Sequence, residues 1–301
     1  MTPESIKAKL KKEADASAKD FDFLLLHYFI ERLLYRLSIS PYTNNFILKG
    51  GLLLYTVLDN RGRATRDIDF LARDIKNTPA ELAKVFTEIA TIPVNDAVSF
   101  DTEKITTERI KEDADYEGVR IKLTAHLDRS RHVLQFDIGF GDVIVPHPVD
   151  MVYPTLINME PPRLKAYSLE SVIAEKFQAI VYLADLNSRM KDFYDIYELS
   201  RSCEFDGIAL SDAIAQTFEH RNTELVPSPM IFTGDFPLLP NKQTQWQAFQ
   251  RRTGIANVPE DFSVIVAAIK KFLFPVYETL INKEKFDGRW KKEKEMWDLI
   301  R

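Results

Sequence analysis

Residues 46–72 read FILKGGLLLYTVLDNRGRATRDIDFLA, and this stretch decides the fold. It opens as a short apolar strand or turn and becomes helical after Gly50-Gly51, through about residue 58. Arg61-Gly62-Arg63 marks a loop, and Arg66–Ala72 reads as a second short strand. A glycine pair at a helix N-terminus lets backbone N–H groups approach a phosphate closely, and the helix dipole favours the anion. Asp67 and Asp69 lie at i, i+2 of a strand and so share one face. Their carboxylates repel unless a cation sits between them. Mg²⁺ takes oxygen ligands and binds through a few carboxylates plus substrate phosphates. A glycine-supported phosphate site beside paired carboxylates points to metal-assisted phosphoryl or nucleotidyl transfer.

A third carboxylate is expected from a neighbouring strand. Residues 119–127, VRIKLTAHL, alternate, with Val119, Ile121, Leu123, Ala125 and Leu127 on one face. Residues 133–138, VLQFDI, alternate too, and Asp128–Arg131 between them reads as a hairpin connection. Gln135 and Asp137 share the polar face of that second strand. An aspartate inside an alternating strand needs a partner for its charge. A metal is one candidate; a backbone donor or an arginine is the other.

Upstream, residues 21–38 carry Leu25, Phe29, Leu33 and Leu37 at every fourth position and read as an amphipathic helix. Its His27 is given no role. Residues 79–91 form another helix opening at Pro79. Downstream, Pro146, Pro148, Pro154, Pro161 and Pro162 make 146–163 the best candidate linker. This divides the chain into an α/β domain with a mixed sheet over 1–150 and a helical domain over 151–301, with the cleft between them. Helices are expected near 169–184, 191–201, 209–220, 243–252, 260–280 and 284–299, with 221–242 as a proline-rich loop. Trp290 and Trp297, seven apart, read as a packing stripe on the last helix.

On the helix near 169–184, Ser168 is a cap and Glu170 suits the first turn. Val172, Lys176 and Ile180 share one face. Lys176 is then either aimed at a cleft, where it meets a triphosphate as a point charge, or salt-bridged to Glu175 or Asp192. On the next helix Asp192 and Asp195 share a face, and Lys191 and Asp195 stand at i, i+4. An exposed ion-pair surface is one reading of this face; the other sets it near the cleft, where Arg189 or Lys191 would bind phosphate. Asp192 or Asp195 would orient Lys176, or contact the base or the acceptor.

The chain has 301 residues, 45% hydrophobic and 28% charged, which fits an ordinary globular protein. Its 40 basic and 45 acidic residues leave a net charge of −5, which excludes a strongly basic coat for nucleic acid but not a local basic groove. Arg61, Arg63 and Arg66, with Arg120, Lys122, Arg129 and Arg131, could supply such a groove, or could pair with the acidic stretch at Glu112, Asp113 and Asp115. One cysteine, Cys203, excludes an intrachain disulfide and a Cys-rich zinc cluster, and fits a reducing cytoplasm. His126, His132, His147 and His220 show no metal-ligand spacing. The polar opening of the chain and the lack of a long apolar run predict neither a signal peptide nor a membrane span.

Lys49-Gly50-Gly51 followed by Thr65-Arg66-Asp67-Ile68-Asp69-Phe70 resembles the first motif of the DNA-polymerase-β-type nucleotidyltransferases. More narrowly it resembles the AbiEii-type toxins of type IV toxin–antitoxin and phage-defence (abortive infection) systems. Ser168–Lys176 resembles the helical Glu-Lys motif of that family, and Arg189-Met190-Lys191-Asp192-Phe193-Tyr194-Asp195 its Arg-x-Lys-Asp-x-x-Asp motif. Leu52 departs from the family, which often has Thr or Ser after the glycine pair, so a hydroxyl contact to phosphate is absent. The resemblance implies a nucleotidyltransferase moving a nucleotide from an NTP to an acceptor, with RNA, at the 3′ end of tRNA, as the expected one. Asp67, Asp69 and Asp137 would hold Mg²⁺, as one ion or two. Gly50, Gly51 and Arg66 would contact the nucleotide, with Arg189, Lys191 and Asp195. Lys176 and Asp192 would act in catalysis. A cognate antitoxin encoded nearby is implied as partner. The alternatives are a small-molecule or protein acceptor, or a non-catalytic nucleotide-binding module.

Overall fold

The computed structural model describes residues 1–58, 64–113, 116–255 and 257–299. The chain forms two compact units, each assembled from separated stretches. The first is Met1–Thr56, Thr65–Gly141 and Val149–Ala166; the second is Val57–Ala64, Asp142–Pro148 and Tyr167–Arg301.

The first unit holds α1 (Pro3–Ser17), α2 (Phe21–Ser38), β1 (Phe46–Lys49), α3 (Gly50–Val57), β2 (Asp67–Ala72), α4 (Pro79–Ala90), β3 (Ser99–Asp113), β4 (Tyr116–Leu127), β5 (Ser130–Phe140), β6 (Val149–Val152) and β7 (Arg163–Ala166). The strands form a mixed seven-stranded sheet in the order β3-β4-β5-β2-β1-β7-β6. β2 runs parallel to β5 and β1 parallel to β7. The apolar positions of the alternating strands meet on one face. Phe70 and Phe136 lie there with Phe46, and Phe86 from α4 packs on Phe46 and Phe136 at 5.4 and 5.0 Å between ring centroids. β4 and β5 are joined by Asp128-Arg129, with Asp128 in the left-handed region at φ 54°, as a tight hairpin requires.

α2 is buried nearly all round rather than along one stripe. It carries Glu31, Arg32 and Arg36 into the core, where burial of a charge demands a partner. Arg36 forks onto Asp96 at 2.6 and 3.0 Å. Arg32 donates to Glu31 and to the Glu160 carbonyl, and Glu31 accepts from Leu156 N at 2.8 Å.

Two features of this unit differ from the sequence reading. The proline-rich stretch is not a bare linker: its β6 and β7 extend the sheet beside β1. β3 escapes the alternation test because SFDTEKITTERIKED is polar at nearly every position, as the exposed edge of a sheet tolerates.

The second unit holds α5 (Leu169–Leu183), α6 (Met190–Ser202), β8 (Phe205–Asp206), α7 (Gly207–His220), α8 (Lys242–Thr253), α9 (Phe262–Ile281), β9 (Gly288–Lys291) and β10 (Met296–Leu299). Its core is aromatic. Phe177 meets Phe218, Phe232 and Tyr277, while Phe193 meets Phe236 and Phe262. The expected helix over 284–299 is instead the β9–β10 hairpin, which joins β8. Trp290 and Trp297 are direct cross-strand partners with rings 5.5 Å apart. A spacing of seven fits two turns of helix, but it equally fits two residues facing each other across a hairpin. The fold is thus α/β, a sheet-bearing unit followed by a mostly helical one. Among the described residues no helix is long and apolar enough to cross a membrane.

Candidate active site

Strand register builds the first cluster. Asp67 is opposite Gln135 and Asp69 opposite Asp137, with β2 and β5 parallel. The three expected carboxylates therefore share one sheet face, opposite the aromatic core. Asp67 is exposed and Asp69 half-buried. Gln135 Nε2 donates to Asp67 Oδ1 at 3.0 Å. Gly51 N points to Asp69 Oδ2 at 3.4 Å. Lys49, buried at 8% exposure, is the register partner of Asp69 on β1 and lies on the same face.

Gly50 sits at φ 67° at the turn from β1 into α3. A Cβ there would overlap the Asp69 carboxylate and stand 2.8 Å from Asp69 Cβ. The glycine is therefore required twice, for its left-handed backbone and for the room it leaves Asp69.

Asp137 has a partner that the alternation alone did not single out. Arg120, opposite it on β4, donates from Nε and Nη2 to its two carboxylate oxygens at 2.8 Å each. That fork also removes Arg120 from the expected polyanion-binding surface. Lys122 of the same surface stands 3.5 Å from Glu108. Arg66 is exposed at the entrance to β2, and Arg129 and Arg131 are exposed at the β4–β5 turn. Arg61, Arg63 and Asp115 lie outside the described residues, as do the side chains of Glu112 and Asp113.

His27 sits behind this cluster. Its Nε2 lies 3.1 Å from the Thr65 carbonyl, two residues before Asp67, and its ring packs on Phe23 and Tyr55. Burial lowers its pKa to about 4, so at neutral pH the ring is uncharged and donates to Thr65 from Nε2. It helps hold the approach to β2.

The donor set suits a hard cation, with two same-face carboxylates on β2 and a third across from Asp69. Among the described residues no three His, Cys, Asp or Glu side chains are gathered closely enough to hold a metal ion. Each of the three aspartates already meets a protein group. Asp67 and Asp69 are engaged only by Gln135 and the α3 backbone among the bonds described, whereas both oxygens of Asp137 are forked by Arg120, whose charge opposes a cation there.

The second cluster lies on α5 and α6. Lys176 Nζ is 2.9 Å from Asp192 Oδ1 and 2.8 Å from Asp195 Oδ2. Arg189 Nε adds a bond to Asp192 Oδ2 at 2.7 Å. Asp192 and Asp195 are 0% and 1% exposed. Burial works to raise the Asp192 carboxyl, and the Lys176 and Arg189 cations outweigh it and hold its pKa below the ordinary value. The shared face expected of Asp192 and Asp195 is present, and both acids turn to Lys176. Glu175, the other expected partner of Lys176, stands 3.6 Å from Arg221. Lys191 is exposed in the first turn of α6.

Groups that the sequence did not mark support this cluster. Buried Asn187 accepts from Arg189 N at 2.7 Å. Lys242, 2% exposed, donates to the carbonyls of Asp185 and Asn187 at 2.9 and 2.6 Å and so fixes the loop leading into α6. Asp142 accepts from Arg221 at 3.2 Å. The Lys242 and Arg221 contacts carry no short-range signal, because their partners lie 55 to 79 residues away, whereas Asn187 stands only two residues before Arg189.

Residues 32–268 match the family model described as nucleotidyl transferase AbiEii toxin, type IV TA system, and both clusters fall inside that range. Two solved structures resemble the chain at 15% identity, covering 87% of it and 97% of their own length. They are a candidate nucleotidyltransferase from H. pylori, with a TM-score of 0.47, and JHP933 from Helicobacter pylori, with a TM-score of 0.48. No curated protein matches.

Proposed function

This chain belongs to the AbiEii nucleotidyl transferase toxin family of type IV toxin–antitoxin systems and is a nucleotidyltransferase, and from that premise we propose that it transfers a nucleotide from an NTP to the 3′ end of an RNA such as tRNA, with Mg²⁺, under restraint by a cognate antitoxin in the cytoplasm. The observation that carries the reading is the packing of the Gly50 turn against Asp69. It sets the backbone amides that open α3 beside two carboxylates aligned on one strand face.

Asp67 and Asp69 would hold the metal, and Asp137 would complete the set. When bound, the metal supplies positive charge for the phosphates and the leaving pyrophosphate. The chain's own residues do the rest. The Gly50-Gly51 backbone receives phosphate oxygens. Arg66 is the candidate phosphate cation of the first unit, and Arg189 and Lys191 are those of the second. Lys176 adds a cation whose position is set by Asp192 and Asp195. Asp137, once released from Arg120, accepts the proton of the attacking hydroxyl.

The test is to supply each labelled NTP in turn with Mg²⁺ and bulk tRNA, using Asp67→Asn as control. Label at the tRNA 3′ end with wild type and none with the variant is expected. Label on protein or small molecules instead would overturn the RNA acceptor. In cells, wild type should arrest growth and Asp67→Asn should not; equal growth would remove the toxin role.

A further inference from the structure

One row of residues crosses the sheet in register. From β3 to β1 it reads Glu108, Arg120, Asp137, Asp69, Lys49. Cross-strand partners share a face, so these five side chains leave the sheet on the same side. Their charges run negative, positive, negative, negative, positive. Two like charges on adjacent strands repel, and cations flank them at either end.

The flanking cations are not equivalent. Arg120 holds Asp137 by both carboxylate oxygens, the strongest geometry an arginine offers. The pair is only partly accessible, at 32% and 13% side-chain exposure. The hydrogen bond to Asp137 raises the Arg120 pKa, with Asp67 and Glu108 adding to it and burial opposing. Arg120 therefore stays charged at any relevant pH. A divalent cation that takes Asp137 as ligand meets the same two oxygens that Arg120 engages, and the two positive charges oppose each other there. Glu108, the register partner of Arg120 on β3, stands 3.5 Å from Lys122.

We propose that Arg120 is a positioning residue that competes with the divalent cation for Asp137, and so sets the metal concentration at which the carboxylate site becomes complete. This rests on reading Asp67 and Asp69 as the cation site. Without metal, Arg120 offsets the charge on Asp137 beside Asp69 and keeps the row stable. With metal, the ion replaces the guanidinium on Asp137.

Mn²⁺ binding, followed by electron paramagnetic resonance without nucleotide, tests this on the full chain. Wild type is compared with Arg120→Gln, Arg120→Lys, Asp137→Asn, Asp67→Asn and the double variant Arg120→Gln/Asp137→Asn. Arg120→Gln should bind Mn²⁺ about tenfold more tightly or better, within the range of ordinary coupling between two ligands. Arg120→Lys should gain less, because an ammonium keeps the charge but not the fork. The double variant should lose the gain. A folding defect cannot mimic tighter binding, and Arg120→Lys carries the comparison if the glutamine variant does not fold. If neither Arg120 variant binds Mn²⁺ more tightly, while Asp67→Asn abolishes binding, the competition is wrong and the site reading stands. If Asp67→Asn binds as wild type does, the site reading falls and the competition with it.

Discussion

Gly50 and Asp69 occupy adjoining space that admits no side chain between them: Gly50 stands at φ 67°, and a Cβ on it would lie 2.6 Å from Asp69 Cγ. Gly50→Ala is therefore expected to fail on two counts, the left-handed backbone and the collision. The neighbouring element is a strand in mid-sheet, so Asp69 cannot simply withdraw. The expected loss of stability is about 1–3 kcal/mol by urea denaturation, with transfer falling further because Asp69 is displaced. A variant with wild-type stability and turnover would show that the turn relaxes freely.

Asp67→Asn and Asp69→Asn should each reduce transfer by at least about 10²-fold while changing stability by less than about 1 kcal/mol. Each keeps the side-chain shape and removes one of two like charges. Thermal melts beside labelled-NTP assays check both halves. Near-normal turnover in either variant would end the paired-carboxylate assignment.

Lys176 is the cation for two buried acids. Lys176→Met should destabilise the protein by about 3–5 kcal/mol, because Asp192 and Asp195 lose their shared partner. The triple variant Lys176→Met/Asp192→Asn/Asp195→Asn should regain much of that stability without regaining transfer, since the cation proposed for phosphate is still missing. Recovery of transfer along with stability would reduce Lys176 to a structural role.

Acid should weaken the same cluster. The Asp192 pKa in the folded state lies below its ordinary value of 3.8. Its contribution is complete above that value and is lost as pH falls through the lower folded-state pKa. Asp192→Asn should remove this part of the acid transition, read as the pH dependence of the urea midpoint below pH 4.

His27 and Glu31, one turn apart on α2, should pull stability in opposite directions between about pH 4.5 and 6.5. Burial lowers the His27 pKa from 6.5 to about 4, so its contribution is present above 6.5 and lost on descent. Burial raises the Glu31 pKa from 4.5 to about 7, against the pull of Arg32, so its contribution is present below 4.5 and lost on ascent. Relative to wild type, Glu31→Gln should become more stable with rising pH and His27→Gln less stable. Each slope should amount to up to about 3 kcal/mol across the window. Parallel stability curves for all three proteins would contradict both shifts.

Several local patterns by themselves determined the outcome. The period-two alternation placed Asp67, Asp69 and Asp137 on polar strand faces. The glycine pair marked the turn into α3, and the i, i+3 spacing put Asp192 and Asp195 together. Only the tertiary structure decided what each charge meets. Alternation says that Arg120 and Asp137 are polar positions, but register makes them a forked pair 17 residues apart. Spacing read Trp290 and Trp297 as a stripe on a helix, and the closing of β9 on β10 overturned that by making them a cross-strand pair. The polar edge strand β3 and the proline-flanked β6 and β7 carry almost no local signal; the sheet they border makes them strands. The reason is physical. Propensity and periodicity act over a few residues, whereas pairing, burial and the choice among equally charged partners depend on which distant segments share a surface.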